Sequence, residues 1–267
     1  MKKIYLFIFI SLVLFSSCKI ETSAEPVNEK NEKKIEALNN ALIFNFYMNF
    51  ELSKKNSNLP NMFDYMPNKN IQNVSSIEME SNMGNMEESA NIKFDDKDKI
   101  SQIVYTRDNT YFTYDFFYEN NKLAYINITG NKNIIFSYNN DGAINSITRK
   151  LGQGYTYIYN FIYVDGKNKA DIKIDVWKDD KFEGSQVLMD YVEWNSSQQI
   201  TNFTMDVFHT EDIKYNTKGD IESMLLSTGG AEMPMFTWIY SSFDAKGTWT
   251  ERKSKNGHFF KRKILYK

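Results

Sequence analysis

One cysteine, two histidines, four prolines and twelve glycines among 267 residues leave little room for several kinds of protein. A lone thiol cannot close a disulfide within its own chain, so a cysteine-stapled scaffold is excluded. Scarce proline and glycine exclude collagen-like and proline-rich designs. His209 and His258 stand far apart, one in a polar stretch after Phe208 and one beside Gly257, and read as surface or structural residues. An excess of one charge is missing too. With 32 basic and 34 acidic residues the formal charge is −2, which gives no electrostatic pull toward nucleic acid.

Motifs for chemistry are equally thin. Gly152-Gln153-Gly154 lacks a third glycine and precedes a strand-like run, so it is no dinucleotide cradle. Ser227-Thr228-Gly229-Gly230 has no nucleophile elbow. Asp95, Asp96 and Asp98 suggest a calcium loop, but the twelfth position from Asp95 is Thr106 where a bidentate Glu is needed. No metal, cofactor or catalytic residues are expected, and the chain reads as a non-enzyme.

Aromatic residues are plentiful: 20 Phe, 17 Tyr and 4 Trp supply ample burial for a folded body. The start of the chain carries a different signal. Met1-Lys2-Lys3 is followed by an apolar run from Ile4 to Phe15 broken only by Ser11, then Ser16-Ser17-Cys18. A positive start, a short apolar stretch and small residues describe a secretory signal, too short to span a bilayer stably. The segment Leu14-Phe15-Ser16-Ser17-Cys18 resembles the signal of bacterial lipoproteins, although Phe15 departs from the more usual small or aliphatic residue. That resemblance implies cleavage before Cys18 and a lipid on its sulfur, with more than one acyl chain for a durable anchor. It puts the protein in the cell envelope, at the outer membrane, periplasmic or surface-exposed.

The chain then divides into residues 1–17 (signal), 18–34 (polar lipidated tether), 35–90 (helix and irregular segment) and 91–267 (β domain). Ile35, Leu38, Leu42, Phe46 and Phe50 recur at steps of three and four and predict a helix over about 35–52, with a strand over 41–50 as the alternative. Asn39, Asn40 and Asn45 suit that helix poorly. Residues 53–73 read as loop, and Met79 to Ala90 as a polar, irregular stretch.

From Asn91 onward one unit recurs. Phe94-Asp95, Tyr138-Asn139, Trp194-Asn195, Tyr215-Asn216 and Phe243-Asp244 each open a seven-residue segment that ends on Ile100, Ile144, Ile200, Ile221 or Trp249. Two residues before that end stands Gly142, Gly219 or Gly247, or else Asp98 or Gln198. The aromatic belongs in a strand, the Asp or Asn starts a turn, the glycine takes a left-handed backbone, and the returning residue faces the aromatic across the ladder. Gln tolerates that backbone worst, so the Gln198 hairpin should be the least regular. Tyr118–Leu123, Tyr163–Lys167 and Trp177–Phe182 read as tighter hairpins of the same series.

The aromatic–Asx–x–x–Gly–x–Ile unit resembles the YD repeat of RHS-type surface proteins and of short lipoproteins with degenerate copies. Irregular spacing argues against a closed shell. The fold expected is mainly β: an open, twisted antiparallel meander of successive hairpins with one N-terminal helix packed on it, and with edge strands protected by Lys261-Arg262-Lys263. Tyr155, Tyr157, Tyr159, Phe161 and Tyr163 share one strand face, and Tyr155, Tyr157 and Tyr159 are the candidate ligand surface. Partners implied are the membrane, through Cys18, and a protein or glycan; no nucleic acid. The leading expectation is a non-catalytic interaction module; the rivals are a lipid or lipoprotein carrier whose curved sheet surrounds an apolar cavity and an enzyme, which ionisable groups converging in one pocket would reveal.

Overall fold

The computed structural model describes residues 27–56 and 72–267, apart from 84–85, 108–109, 130, 207, 229–230, 233–234 and 256. The signal segment, Cys18 and the first residues of the expected tether lie outside the described residues. The helix begins at Val27, earlier than its apolar period suggests. It runs through α1 (Val27–Asn40), a π-helical segment (Ala41–Tyr47) and α2 (Met48–Asn56). Asn40 and Met48 both keep right-handed helical angles, so the three pieces join without a break. Residues 29–34, assigned to the tether by composition, form exposed turns of α1.

Strands follow from residue 74, not 91. They are β1 (Val74–Met83), β2 (Met86–Phe94), β3 (Ile100–Arg107), β4 (Thr110–Glu119), β5 (Lys122–Ile128), β6 (Asn131–Tyr138), β7 (Ile144–Lys150), β8 (Tyr155–Tyr163) and β9 (Lys169–Lys178). The second half holds β10 (Lys181–Trp194), β11 (Ile200–Met205), β12 (Phe208–Tyr215), β13 (Ile221–Thr228), β14 (Ala231–Glu232), β15 (Phe236–Phe243), β16 (Trp249–Ser254) and β17 (Phe259–Tyr266). Every pairing is antiparallel; all join neighbours in sequence except β13 with β15, which passes over β14, and β1 with β17, from Val74↔Tyr266 to Asn82↔Phe259. The short β14 adds only to β13. The other sixteen strands therefore form a closed barrel, and the open meander is wrong.

The reason lies in the stretch taken as irregular. Ile77 and Met79 of β1, and Ala90 and Ile92 of β2, alternate with Glu78, Glu80, Ser89 and Asn91. Only the first set is apolar enough to notice, yet the period of two is intact. The would-be edge residues are correspondingly used inside the wall. Lys263 sits 3.6 Å from Glu78, Lys261 sits 3.6 Å from Glu251, and Arg262 is buried with its Nε donating to the Trp249 carbonyl at 2.7 Å. Ring closure leaves no edge to protect.

All five recurrent segments are hairpins that share one geometry. Phe94↔Ile100, Tyr138↔Ile144, Trp194↔Ile200, Tyr215↔Ile221 and Phe243↔Trp249 face one another, each beside a register shift. In the fifth hairpin the Asp244 carboxylate accepts from the Lys246 and Thr248 amides, and the Gly247 amide donates to the Asp244 carbonyl. The Gln198 hairpin repeats these bonds around Asn195, with φ +63° at Gln198. It is as regular as the glycine copies, because the Asx turn and the ladder hold the backbone against the side chain's preference.

These hairpins, with β4–β5 and β8–β9, lie on one rim of the barrel. The Trp177–Phe182 hairpin joins β9 to β10 and lies on the opposite rim, outside the series. Tyrosines stitch the first rim together. The hydroxyls of Tyr118, Tyr138, Tyr163, Tyr215 and Tyr240 donate to the carbonyls of Ile100, Leu123, Ile144, Ile200 and Ile221 at 2.5–2.9 Å. In each case the acceptor belongs to the preceding hairpin, so neighbouring hairpins are coupled around the rim. Tyr266 donates to the Asp244 carboxylate at 2.6 Å, and the Lys267 amide reaches the Asn73 carbonyl at 2.7 Å where the ring closes.

The helix occupies the barrel lumen. Leu42, Ile43, Phe44, Phe46, Tyr47 and Met48 are all buried, which a helix lying on one sheet face could not achieve. Phe44 meets Phe116 of β4, Tyr47 meets Phe136 of β6 and Tyr159 of β8, and Phe46 meets Phe203 of β11. Strands β4 and β11 are nearly opposite in a sixteen-strand ring. Asn39 is bound to β7's first residue and Glu51 to Arg149 near its end, so the helix runs along the strands. The twelve steps from Asn39 to Glu51, partly π-helical, rise somewhat less than a pure α-helix would, about 18 Å. The five steps from Ile144 to Arg149 span about 17 Å.

Candidate functional site

The inner face of the wall is mostly apolar with a few buried charged residues, and the outer face is mixed. Inward stand Ile103, Tyr114, Ile126, Ile134, Ile147 and Phe161, all buried. Outward stand polar cross-strand pairs, Gln102 with Asp115 at 2.7 Å, Ser137 with Ser146 at 2.8 Å, Asn160 with Asp175 at 2.9 Å and Asn202 with Glu193 at 2.7 Å, with Phe117, Ile162, Leu225 and Ile239 exposed among them. A barrel that spans a membrane carries an apolar outer band, and each charge at mid-bilayer costs about 2–4 kcal/mol. This wall carries charges and amides among its exposed apolar residues rather than an unbroken apolar band. Its lumen, wide enough in a sixteen-strand barrel for an aqueous channel, is packed with the helix.

Two polar clamps hold that helix. The Asn39 amide donates to the Gly142 carbonyl at 2.9 Å and its oxygen accepts from the Ile144 amide at 3.0 Å, so one side chain fastens α1 to the β6–β7 hairpin. Glu51 takes two bonds from the Arg149 guanidinium, at 2.7 and 3.0 Å, with both side chains buried. Burial alone would ease Arg149's proton away; the Glu51 carboxylate outweighs it and holds the guanidinium pKa above its ordinary value. Tyr47, Tyr114 and Tyr159 surround the pair, and burial, then Glu51, pushes all three phenols up.

Tyr155, Tyr157 and Tyr159 share one face, but it is the lumen face. Tyr159 is buried against Tyr47 and Phe50. Tyr157 packs half-buried on the core, and Tyr155 sits at the opposite rim under the Lys178 ammonium, 5.1 Å from its ring centre. They do not form an exposed surface. Asp95 and Asp98 are likewise committed, the first to the Lys97 and Lys99 amides and the second to Lys267 at 3.0 Å. His209 faces the Thr204 hydroxyl at 3.3 Å, and His258 lies 5.6 Å from the Phe236 ring with its pKa lowered by burial.

A cleft of about 440 Å³ opens where α1 leaves the lumen at the hairpin rim. One wall is the helix, through Ile35 and Asn39 of α1 and Ile43 of the π-helical segment; the other is the hairpins at 95–99, 120–121 and 139–143. Ile43, Phe44, Ile100 and Leu123 give it an apolar floor, and Asn120, Asn121, Asn140 and Asp141 stand along its mouth. Lys99 bonds the Asn121 carbonyl, lies 3.9 Å from Glu36 and covers the Tyr118 ring at 5.1 Å. Lys122 covers the Tyr138 ring at 5.3 Å and fills the space beside Gly142, where a Cβ would come within 2.9 Å of its ammonium. Gly142 takes φ +87°, and that backbone, rather than the movable Lys122 ammonium, is what favours glycine there. Sequence reasoning missed this cleft. The turn asparagines were visible, but nothing local tells that a helix from the other end of the chain passes beside them.

No family model matches the chain, and no curated protein matches it. Among solved structures, a porin-like protein from Bacteroides uniformis is similar to it with a TM-score of 0.42 and 13% identity, over 74% of this chain and all of that one.

Proposed function

We propose that the protein is a lipid-anchored, non-catalytic binding module of the bacterial cell envelope, presenting the hairpin-rim cleft to a ligand. The observation that carries this reading is the pairing of charged and amide residues on the outer wall with a helix inside the lumen. Charged and amide pairs on the outer wall are costly in hydrocarbon, and the helix takes up lumen space that a carrier's cargo would use. What attaches the body to a membrane is then the N-terminal Leu14-Phe15-Ser16-Ser17-Cys18 segment, with lipid on the Cys18 sulfur. The recurrent hairpin supports kinship with YD-type repeats, here in a ring. Because α1 leaves by the hairpin rim, that rim and its cleft lie on the anchored side of the barrel.

Labelled palmitate tests the anchor. Wild type incorporates label and sediments with membranes, whereas Cys18→Ala loses both properties and is recovered folded in the soluble fraction. A Cys18→Ala protein that stays in the membrane, resistant to alkaline carbonate, would contradict the proposal.

A further inference from the structure

We infer that the rim cleft takes a neutral, hydroxyl-rich ligand, a saccharide, in preference to an anion. This rests on the cleft being the binding site. Its apolar floor of Ile43, Phe44, Ile100 and Leu123 suits the C–H face of a sugar ring. Its mouth offers the amides of Asn120, Asn121 and Asn140 and the carboxylate of Asp141, groups that donate to and accept from adjacent hydroxyls. An anion meets a poorer site. Lys97, Lys99 and Lys122 line the cleft against four carboxylates, Glu32, Glu36, Asp98 and Asp141. Lys99 and Lys122 are already committed over tyrosine rings, and Lys99 also to a carbonyl. The site is moreover rigid before a ligand arrives. Asn39 fixes the helix wall to one hairpin, and the Tyr118 and Tyr138 hydroxyls fix successive hairpins to each other. Pre-organisation of this kind lowers the cost of binding a flexible polyol.

Calorimetry on the full chain in mild detergent tests the inference. The probes are neutral hexose and N-acetylhexosamine oligosaccharides, with polygalacturonate and inorganic phosphate as anionic comparators. At least one neutral oligosaccharide binds, the anions do not, and Asn140→Ala with Asp141→Ala weakens binding by about tenfold or more at an unchanged melting temperature. Ile35→Trp, which puts an indole into the cleft from its exposed side, abolishes binding. Binding only of phosphate or polygalacturonate, lost in Ile35→Trp, overturns the ligand class and leaves the cleft as the site. No binding of any probe, or neutral binding untouched by all three substitutions, overturns the inference. Neither result bears on the anchor, which palmitate labelling reads separately.

Discussion

Glu51 and Arg149 show what one pair of residues does in this fold, because they join a helix to a strand 98 positions away with both side chains buried. A buried ion pair adds little net stability over apolar residues of its size, but removing one member strands the other, at about 3–5 kcal/mol. Glu51→Ala is therefore expected to lower unfolding free energy by about that amount in urea titrations, and Glu51→Leu with Arg149→Met to recover most of it. Asp244 gives a second residue-scale expectation, this time in pH. Burial alone would raise its pKa, but bonds from the Tyr266 hydroxyl and the Thr248 and Lys246 amides outweigh that and hold it below the ordinary carboxylate value. A carboxyl whose folded pKa is depressed contributes stability above its unfolded pKa, near about 4, and loses it as pH falls through the lower folded value. Asp244→Asn should flatten that acid limb of the stability curve, and a limb of unchanged steepness would show that Asp244 is not its source. At this scale the sequence is informative about faces and silent about partners. The alternation from Tyr155 to Tyr163 marks one side of β8 as apolar, yet nothing near it reveals that Tyr47 and Phe50 lie against that side.

Hairpins are the elements most legible from sequence, because their chemistry is complete within seven residues. Asp95, Asn139, Asn195, Asn216 and Asp244 each bond amides two and four positions on, wherever the tertiary structure puts them, apart from Asn139, for which only the bond to the fourth-following amide of Ala143 is seen. The cost of Gln198 is real even though its hairpin keeps the shared shape, since a left-handed backbone disfavours a side chain by about 1 kcal/mol. Gln198→Gly is expected to raise stability by up to about 1 kcal/mol and Gly219→Gln to lower it similarly, both read from thermal midpoints; equal midpoints would mean that the ladder imposes no strain. The β1–β2 hairpin was illegible for the opposite reason. Its inward residues are Ile, Met and Ala among many Glu, Ser and Asn, so its apolar signal is weak and only the pairing with β17 and β3 makes it a strand. The helix was half legible. Its period showed from residue 35, while burial on all sides reflects the ring around it and no property of its own sequence.

Closure belongs to the whole molecule and could not be read from any part of it. The contact of β1 with β17 joins residues some 190 positions apart, as in the Ser75 hydroxyl bond to the Leu265 carbonyl. Irregular repeat spacing suggested an open sheet, but strands of six to fourteen residues with bulges still pair in sequence and meet at the ends. Once the ring is closed, the apolar faces have an inside to fill, the helix fills it, and the charged faces are left to water. Amide hydrogen exchange tests this chain of consequences most directly, because an open sheet has two free edges and a barrel has none. Amides along β1 and β17, from Val74 to Asn82 and from Phe259 to Tyr266, are expected to be protected to the level of interior strands such as β8, together with the helix amides from Leu42 to Met48. Fast exchange along the β17-facing side of β1 and the β1-facing side of β17, with a readily exchanging helix, would contradict a closed barrel built around its own N-terminal segment.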